Sequence, residues 1–335
     1  MLYIRTDMNA EIATGHVMRC LSIADAAKSQ GEETTFILAD EQAVEVIKQR
    51  GHRTIVLHTQ WDDMDAELPK LVDVLKEEKV NRILIDSYQV TVTYLEALSS
   101  QVKTIYIDDR NAFVYPVDGL VCYANYWKKY AYPSCYKKTK LYMGLQYVPL
   151  RQAFCSHEKK IISDKIEELL LLSGGTDPYN ILKNILHEID KSKYRKINVV
   201  CGRYYAEYEE LQKEYRESDV VCIYQAVSDI ENYMRTADVA VSAGGTTLYE
   251  LCACGTPTIS YAFVDNQLDN VYQFQEDGIM DYAGDARTDN VVENIVYHLN
   301  RYSEDIMLRR KRSQRMQELV DGNGALRIAD ALRNI

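Results

Sequence analysis

The chain has 335 residues, of which 47% are hydrophobic and 27% charged, and its net charge at pH 7 is −11. A chain of this length usually exceeds what a single hydrophobic core can support, so two domains are expected. The acidic balance and the lack of any run of about 18 apolar residues argue against a nucleic-acid or membrane partner. The first residues are apolar only up to Arg5, too short a run for a signal peptide, so we expect a cytoplasmic protein.

Strand-like runs alternate with helical stretches in the first part of the chain. The runs are β-branched and apolar, as in parallel strands that are buried on both faces. Apolar residues recur at helical spacing over residues 17–28, and Gly31 is a suitable end for that helix. The predicted strands are residues 2–5, 34–38, 54–57, 82–86, 104–108 and 120–122.

A basic, tyrosine-rich run follows at residues 123–147. We interpret it as a solvated connection near a domain hinge, because the rest of the chain is too acidic for a nucleic-acid patch. Residues 151–166 carry charges and no clear strand, so we place the linker there.

The alternation resumes after about residue 160 and predicts a second parallel sheet with helices on both faces. Asp177 and Pro178 are suited to the N-cap and first position of its first helix. The predicted strands are residues 169–172, 197–200, 220–223, 239–242 and 258–261, and two helices within 305–334 are separated at Gly322-Asn323-Gly324.

The predicted fold class is α/β, with two doubly wound Rossmann-type domains that face a central cleft. We place the domains at residues 1–155 and 163–320, and a last helix at 323–335 can pack back on the first domain. In such sheets a ligand binds beyond the carboxyl ends of the strands, where every turn discussed below is expected.

The first candidate site is the turn after the first strand. Thr14 is placed to cap a helix that Gly15 and His16 open. The positive end of the helix dipole favours a neutral imidazole, which can accept a proton as a general base must. We predict His16 as the catalytic base; the alternative is a capping or surface histidine.

Charged residues flank this turn. In the functional interpretation Arg5 and Arg19 bind an anion, and Asp7 is catalytic, positioning either a sugar hydroxyl or the imidazole; otherwise Arg5 and Asp7 form a structural pair. Arg19 lies one helical turn beyond His16 and shares its face. Tyr88 follows another strand of the first domain and is counted as a substrate-binding residue.

Two turns of small residues enter helices of the second domain and point backbone N–H groups at a phosphate. At equivalent places in one domain, they fit a diphosphate. Glu250 can accept both hydroxyls of a ribose, and Asn266 and Gln267 can serve sugar hydroxyls; dipole pairing and helix capping are the structural alternatives. The turn residues are Ser173, Gly174, Gly175, Ser242, Gly244, Gly245, Thr246 and Thr247.

Eight cysteines are present, most of them within apolar runs. No pair of Cys-x-x-Cys elements occurs, and the spacing of Cys252 and Cys254 suits a metal ion poorly. Buried, reduced thiols are the favoured interpretation, and we predict neither a metal site nor a cofactor.

These motifs resemble those of known proteins. Arg5-x-Asp7 with Ile12-x-x-Gly15-His16-x-x-Arg19-Cys20-Leu21 resembles the opening of the UDP-2,4-diacetamido-2,4,6-trideoxy-β-L-altropyranose hydrolases of pseudaminic acid biosynthesis. Gly144-x-x-Tyr147-x-x-Leu150-Arg151-x-x-Phe154 resembles that family's segment before the linker. Ser242-x-Gly244-Gly245-x-Thr247-x-x-Glu250, with Gly255-x-Pro257 and Asn266-Gln267, resembles the UDP-binding half of the GT-B superfamily, which includes the N-acetylglucosaminyltransferase that makes lipid II.

The resemblance implies a GT-B fold, no metal, and hydrolysis of a UDP-linked 2,4-diacetamido-2,4,6-trideoxy sugar at the anomeric carbon. It implies that His16 activates water, that Glu250 binds the uridine ribose, and that Asn266 and Gln267 contact sugar or phosphate. Ala13 stands where the family usually has Gly, so the first turn is expected to differ in shape.

Other functions stay open at this point. A glycosyltransferase can use the same donor-binding half, since fold alone does not separate these activities. A non-catalytic protein would bind a nucleotide sugar and release nothing. A dehydrogenase is disfavoured because the first turn lacks Gly-x-Gly-x-x-Gly. The sequence leaves the oligomeric state and the sugar's stereochemistry open.

Overall fold

The computed structural model describes the chain except for Ala10, Ala13, Ser156, His157 and Ala226. The substitution noted at Ala13 therefore lies outside the described residues. The chain divides into two compact units: the first comprises Met1–Gln152 with Gly322–Ile335, and the second comprises Ala153–Asp321.

Strands and helices alternate along both units. The strands are β1 Leu2–Thr6, β2 Thr34–Leu38, β3 Arg53–Val56, β4 Arg82–Asp86, β5 Lys103–Ile107, β6 Gly119–Cys122, β7 Lys140–Met143, β8 Glu168–Leu172, β9 Lys196–Cys201, β10 Val221–Gln225, β11 Val239–Ala243, β12 Thr258–Ala262 and β13 Asp281–Asp285. The α-helices are α1 Gly15–Ser29, α2 Val44–Gln49, α3 Met64–Glu77, α4 Val92–Ser99, α5 Tyr132–Cys135, α6 Ile181–Glu188, α7 Tyr208–Glu214, α8 Ile230–Thr236, α9 Thr247–Cys254, α10 Asp265–Glu276, α11 Val291–Glu304, α12 Ile306–Leu319 and α13 Gly324–Arg333.

The first unit contains a seven-stranded sheet in the order β3-β2-β1-β4-β5-β6-β7, and its neighbouring strands are parallel. The order reverses between β1 and β4, so this pair forms the topological switch point of the sheet. In that pair Thr6 lies opposite Asp86 at the carboxyl ends. Ligands of doubly wound sheets bind at this kind of position.

The second unit contains a six-stranded sheet in the order β10-β9-β8-β11-β12-β13, again with parallel neighbours. Its order reverses between β8 and β11. The turns after these two strands are the two glycine-rich turns selected from the sequence. The apolar strand residues are buried between helices on both faces, with Leu171, Val199, Val241 and Ile259 fully or almost fully enclosed.

The last helix belongs to the first unit. Helix α13 packs on α1 and buries Ile328 and Leu332. At the start of α13 the backbone of Gly324 lies so close to Val148 that a Cβ would stand 2.1 Å from the Val148 carbonyl oxygen. The helix that carries His16 is therefore packed against the C-terminal helix.

Two local predictions were wrong, and two strands were missed. The 123–147 run is not simply a solvated connection, since it contains α5 and β7 and buries Tyr123, Tyr132 and Tyr136. Helix α6 begins at Ile181 and not at Pro178; Asp177 instead accepts bonds from the backbone N–H groups of Ile181 and Leu182, at 2.9 Å each. Strands β7 and β13 were not predicted, because neither contains a β-branched residue.

Among the described residues, no helix is both long and apolar enough to cross a membrane.

Candidate functional site

His16 lies in the first turn of α1, at the switch point of the first sheet. Its side chain is largely buried, and its Nδ1 is 2.7 Å from Oδ1 of Asp86. Asp86 is the last residue of β4. Thr14 occupies the N-cap position as predicted, but its side chain makes no capping bond. A Cβ at Gly15 would meet no heavy atom within 4 Å, so the described residues leave space at this turn.

Asp86 determines which imidazole nitrogen carries the proton. Burial raises the pKa of Asp86, but the Arg19 guanidinium and His16 outweigh it and hold that pKa well below its usual value. Asp86 is therefore a carboxylate, and it accepts the Nδ1–H in the tautomer of His16 that bonds to it; Arg19 Nη2 also lies 2.8 Å from this Nδ1. The lone pair of the neutral ring is then on Nε2, the atom that can accept a proton from another group.

Arg19 binds the same carboxylate in a two-pronged ion pair. Its Nε is 2.6 Å from Asp86 Oδ2, and its Nη2 is 2.5 Å from Oδ1. Its Nη1 donates to the Tyr123 hydroxyl at 2.8 Å. All three nitrogens are thus in use within the first unit. Arg19 and His16 share a helix face as predicted. However, the guanidinium of Arg19 is paired with Asp86, whereas the functional interpretation expected it to bind an anion of the ligand.

Arg5 and Asp7 form the structural pair that the sequence left as an alternative. Arg5 is fully buried, with Nε 2.8 Å and Nη2 2.6 Å from the carboxylate of Glu67 and Nη1 paired with Asp7. Asp7 also accepts the backbone N–H of Ala39 at 2.8 Å. The imidazole is held by Asp86 and not by Asp7, so the predicted orienting role belongs to a residue that sequence reasoning did not select.

Tyr88 lies against the imidazole. Its ring meets that of His16 edge-on, with 4.6 Å between the ring centroids, and 38% of the residue is exposed. Its hydroxyl donates to Asp109 Oδ2 at 2.9 Å. Burial and the nearby Asp109 raise the pKa of Tyr88, so the phenol stays protonated. The first unit thus places a buried imidazole next to a half-exposed aromatic ring.

The second unit has a cavity of about 420 Å³ at the switch point of its own sheet. The two predicted turns line it, and Glu250 and Gln267 contribute to its wall. The predicted residues that line the cavity are Ser173, Gly174, Gly175, Gly245, Thr246, Thr247, Glu250 and Gln267.

Two contacts shape these turns. A Cβ at Gly202 would lie 2.2 Å from the carbonyl oxygens of Gly174 and Gly175, so the turn after β9 packs on the turn after β8 only because residue 202 is glycine. On the other side, Asn270 Nδ2 donates to the carbonyl of Gly244 at 3.1 Å and is 3.4 Å from that of Gly245. In a trans peptide the N–H points opposite to the carbonyl, so the Thr246 N–H is directed away from Asn270.

Two donors of this cavity are suited to a ligand with many oxygen atoms. The hydroxyl of Ser173 is buried and has no hydrogen-bond partner among the described residues. The side-chain oxygen of Gln267 accepts the Phe263 N–H at 2.9 Å, which leaves its NH2 as the group for a ligand. Both groups, together with the first N–H groups of α9, favour an acceptor-rich anion such as a phosphate.

Three other predicted residues do not line the cavity. Ser242 is fully buried and donates to the carbonyl of Ala243 at 3.1 Å. Gly244 lies behind the turn, where a Cβ would be 2.6 Å from a Val271 side-chain carbon. Asn266 is exposed in the first turn of α10. These residues shape or flank the turn, and the cavity wall is formed by their neighbours.

Sequence reasoning missed residues of both sites, among them Tyr123 and Asp109, which bond to Arg19 and Tyr88. Asp86 ends an apolar strand, and only its place beside β1 reveals its partner 70 positions away. Gly202 and Arg203, which line the cavity, follow β9 at the carboxyl edge, where a rule applied to every strand end would have found them. Asn270 has no sequence signal, because an amide inside a helix is usually solvated.

Within the described part of the chain, no group of three or more His, Cys, Asp or Glu side chains is arranged to hold a metal ion.

The family model described as "Glycosyl transferases group 1" matches residues 156–317, which lie in the second unit. Among curated proteins, the chain is 22% identical to the spore coat polysaccharide biosynthesis protein SpsG of Bacillus subtilis, over 99% of this chain and 97% of that protein. It is 26% identical to the uncharacterized protein MJ1062 of Methanocaldococcus jannaschii, over 76% of this chain but only 54% of that protein.

A third curated relative is an enzyme named for its reaction. The chain is 27% identical to the UDP-N-acetylglucosamine–N-acetylmuramyl-(pentapeptide) pyrophosphoryl-undecaprenol N-acetylglucosamine transferase of Helicobacter pylori, over 63% of this chain and 60% of that protein. The chain therefore spans only part of two of these three relatives, and almost all of SpsG.

Solved structures share the fold over nearly the whole chain. MurG of Acinetobacter baumannii has a TM-score of 0.74 at 12% identity and covers 100% of this chain and 99% of its own. A protein titled a putative UDP-N-acetylglucosamine 2-epimerase of Listeria monocytogenes has a TM-score of 0.67 at 12% identity, with 99% and 95% covered. The two parallel sheets and these solved structures confirm the predicted fold class, which is two Rossmann-type α/β units as in GT-B proteins.

Proposed function

We propose that this protein is a glycosyltransferase-like enzyme that uses a UDP-sugar and binds its diphosphate in the second unit. The observation that carries the proposal is the cavity at the second switch point. It is lined by two glycine-rich turns, the start of α9 and the hydroxyl of Ser173, to which the described part of the chain offers no hydrogen-bond partner. Backbone N–H groups, a helix dipole and a hydroxyl are the donors that a diphosphate needs.

The same groups serve the chemistry as well as the binding. When the bond to the sugar breaks, negative charge develops on the leaving diphosphate. Fixed dipoles that already point at that charge stabilise it without reorganising. In this proposal Glu250 accepts the ribose hydroxyls, and the NH2 of Gln267 contacts the phosphate or the sugar.

In the first unit His16 is the proposed general base. Its Nδ1 is engaged by Asp86, so Nε2 accepts the proton of the attacking hydroxyl. Asp86 is proposed as the positioning residue that fixes the ring and stabilises the imidazolium formed in the reaction. Arg19 keeps Asp86 ionised, which the pairing of the two side chains supports.

A hydroxyl of a second molecule is the acceptor that the comparisons favour. The matched family model is named for glycosyl transfer, and the Helicobacter pylori relative is named as a transferase. The relative matched along its whole length is named for polysaccharide biosynthesis. We therefore place transfer to a hydroxyl first.

Hydrolysis is the second candidate, with water as the acceptor. It is favoured by the first-unit motif that resembles the hydrolases of pseudaminic acid biosynthesis, since His16 and Arg19 of that motif converge on one carboxylate. In that case the substrate is a UDP-linked 2,4-diacetamido-2,4,6-trideoxy sugar and the products are UDP and the free sugar.

UDP release separates these functions. The full-length protein is incubated with a panel of UDP-sugars, with and without hydroxyl acceptors, and the products are identified by proton NMR. A transferase releases UDP only when an acceptor is added, whereas a hydrolase releases UDP and reducing sugar without one. A protein that binds UDP by calorimetry but releases none from any panel member is a binding protein, and failure to bind UDP contradicts the proposal altogether.

A further inference from the structure

Asp109 presents a buried carboxylate oxygen to which no described residue donates a hydrogen bond. The residue lies two positions after β5, at the carboxyl edge of the first sheet. Its Oδ2 accepts the Tyr88 hydroxyl at 2.9 Å. Its Oδ1 is buried and has no hydrogen-bond partner among the described residues. A buried acceptor is usually satisfied, so one that is not calls for a donor from outside the chain.

Asp109 lies near His16, the proposed base. Arg19 Nη1 is 3.7 Å from Asp109 Oδ2, while Nη2 of the same guanidinium is 2.8 Å from His16 Nδ1. Tyr88 spans the two residues as well, with its ring against His16 and its hydroxyl on Asp109. Arg19 and Tyr88 therefore each contact both Asp109 and the imidazole of His16.

The chemistry of the missing partner follows from the charges. Asp109 repels a phosphate or a carboxylate, and it accepts hydrogen bonds only. A base that activates an attack on the anomeric carbon must lie within a few ångströms of the sugar ring. The group that can satisfy Asp109 is then a neutral donor on that ring, either a hydroxyl or the N–H of an acetamido group.

We propose that Asp109 is a specificity-determining residue whose Oδ1 accepts a hydrogen bond from an O–H or N–H group of the transferred sugar. This inference rests on the proposed use of a UDP-sugar. A bond to a charged acceptor typically contributes about 10- to 100-fold to discrimination against an analogue that lacks the donor. Asp109 thus selects the sugar, whereas the second unit selects the nucleotide.

The test compares kcat/KM for the UDP-sugar that the full-length protein turns over fastest with analogues that each lack one donor. One arm replaces single hydroxyls by hydrogen, and the other replaces an acetamido group by a hydroxyl or an ester, which separates the two sources. Wild-type protein should reject one analogue by about 10- to 100-fold, and Asp109→Ala should reduce that ratio to nearly one. A uniform loss for every analogue would overturn the proposal.

Two controls keep the result specific. Tyr88→Phe removes the bond to Oδ2 alone and should preserve the discrimination that Asp109→Ala abolishes. Asp73→Asn changes an exposed aspartate of α3 in the same unit and should change nothing. If wild-type protein releases no UDP from any donor, the proposed function has failed and not this assignment alone.

Stability supplies a readout that needs no substrate. Asp109→Asn keeps an oxygen towards Tyr88 and loses the charge contact with Arg19. Such a partly exposed pair contributes little to stability, so the Tm of the protein should fall by no more than about 2–4 °C. A larger fall relative to Asp73→Asn would mean that the protein itself needs this carboxylate, and would contradict a role reserved for the ligand.

Discussion

His16 and Asp86 illustrate how much of a site depends on pairs that are remote in sequence. His16 could be selected because it opens a helix after the first strand, where a ligand of this fold binds. Its partner Asp86 could not be selected from the sequence, because nothing local distinguishes Asp86 from Asp7. Both are acidic residues near a strand end, and only the order of the strands in the sheet places β4 beside β1. The sequence therefore predicts the base and not its support.

Asp86→Asn should strongly destabilise the first unit. The substitution leaves the buried charge of Arg19 without its carboxylate, and breaking such a pair costs about 3–5 kcal/mol. Urea unfolding at pH 7 measures the change, with the exposed Asp73→Asn as a control that should cost less than about 0.5 kcal/mol. An equal effect of the two substitutions would show that the ion pair contributes nothing.

The same variant has a characteristic pH dependence. The pKa of Asp86 is lower in the folded protein than in the unfolded chain, where it is about 3.9. Its stabilising contribution is complete above that value and is lost as the pH falls through the folded pKa. The difference in unfolding free energy between wild type and Asp86→Asn should be constant from about pH 5 to 7 and shrink below about pH 4. A difference that instead grows in acid would reverse the assigned sign.

At the scale of elements, strands with apolar or β-branched runs were predictable, including the edge strands β3 and β10, whereas the other two edge strands were not. Runs such as Ile83–Ile85 and Leu169–Leu172 are apolar because helices cover both faces. The edge strands β7 and β13 carry charges, tyrosines and a glycine, which give no such signal. The glycine-rich turns were also predictable, since small residues after a strand indicate close backbone approach. That one of these turns packs against Gly202 could be seen only in the folded structure.

Two alanine substitutions should separate the packing role of glycine from its binding role. Gly202→Ala places a Cβ 2.2 Å from two carbonyl oxygens, so it should cost about 1–3 kcal/mol of stability and weaken UDP binding. Gly245→Ala meets no atom within 4 Å, so it should keep its stability and lose UDP affinity through the group added to the cavity wall. Thermal unfolding and calorimetry measure both. Equal losses of stability would contradict this division.

At the scale of the whole molecule, the chain leaves the first unit and returns to complete it. Residues Gly322–Ile335 belong to that unit, and α13 packs on the helix that carries His16. The break at Gly322-Asn323-Gly324 and a last helix packed on the first domain were expected from the sequence, whereas the choice of α1 as its partner is a property of the folded unit. Activity should therefore depend on residues at the far end of the chain.

Ile328→Ala tests this dependence. The side chain is fully buried in the first unit, and its truncation should lower the free energy of unfolding by about 2–5 kcal/mol. UDP affinity should remain within twofold of wild type, because the cavity lies wholly in the second unit. Glu96→Ala at an exposed position of α4, in the same unit, is the control. A large loss of UDP affinity in Ile328→Ala would contradict the separation of roles between the units.

The central claim is that one unit holds the nucleotide and that His16 of the other supplies the base. The most direct measurement is the rate of UDP release by His16→Gln at a saturating concentration of the preferred UDP-sugar, alongside UDP affinity by calorimetry. The rate should fall by about 10²- to 10⁴-fold with unchanged affinity, as for loss of a general base, while the exposed His187→Gln matches wild type. Turnover by His16→Gln within twofold of wild type would contradict the account.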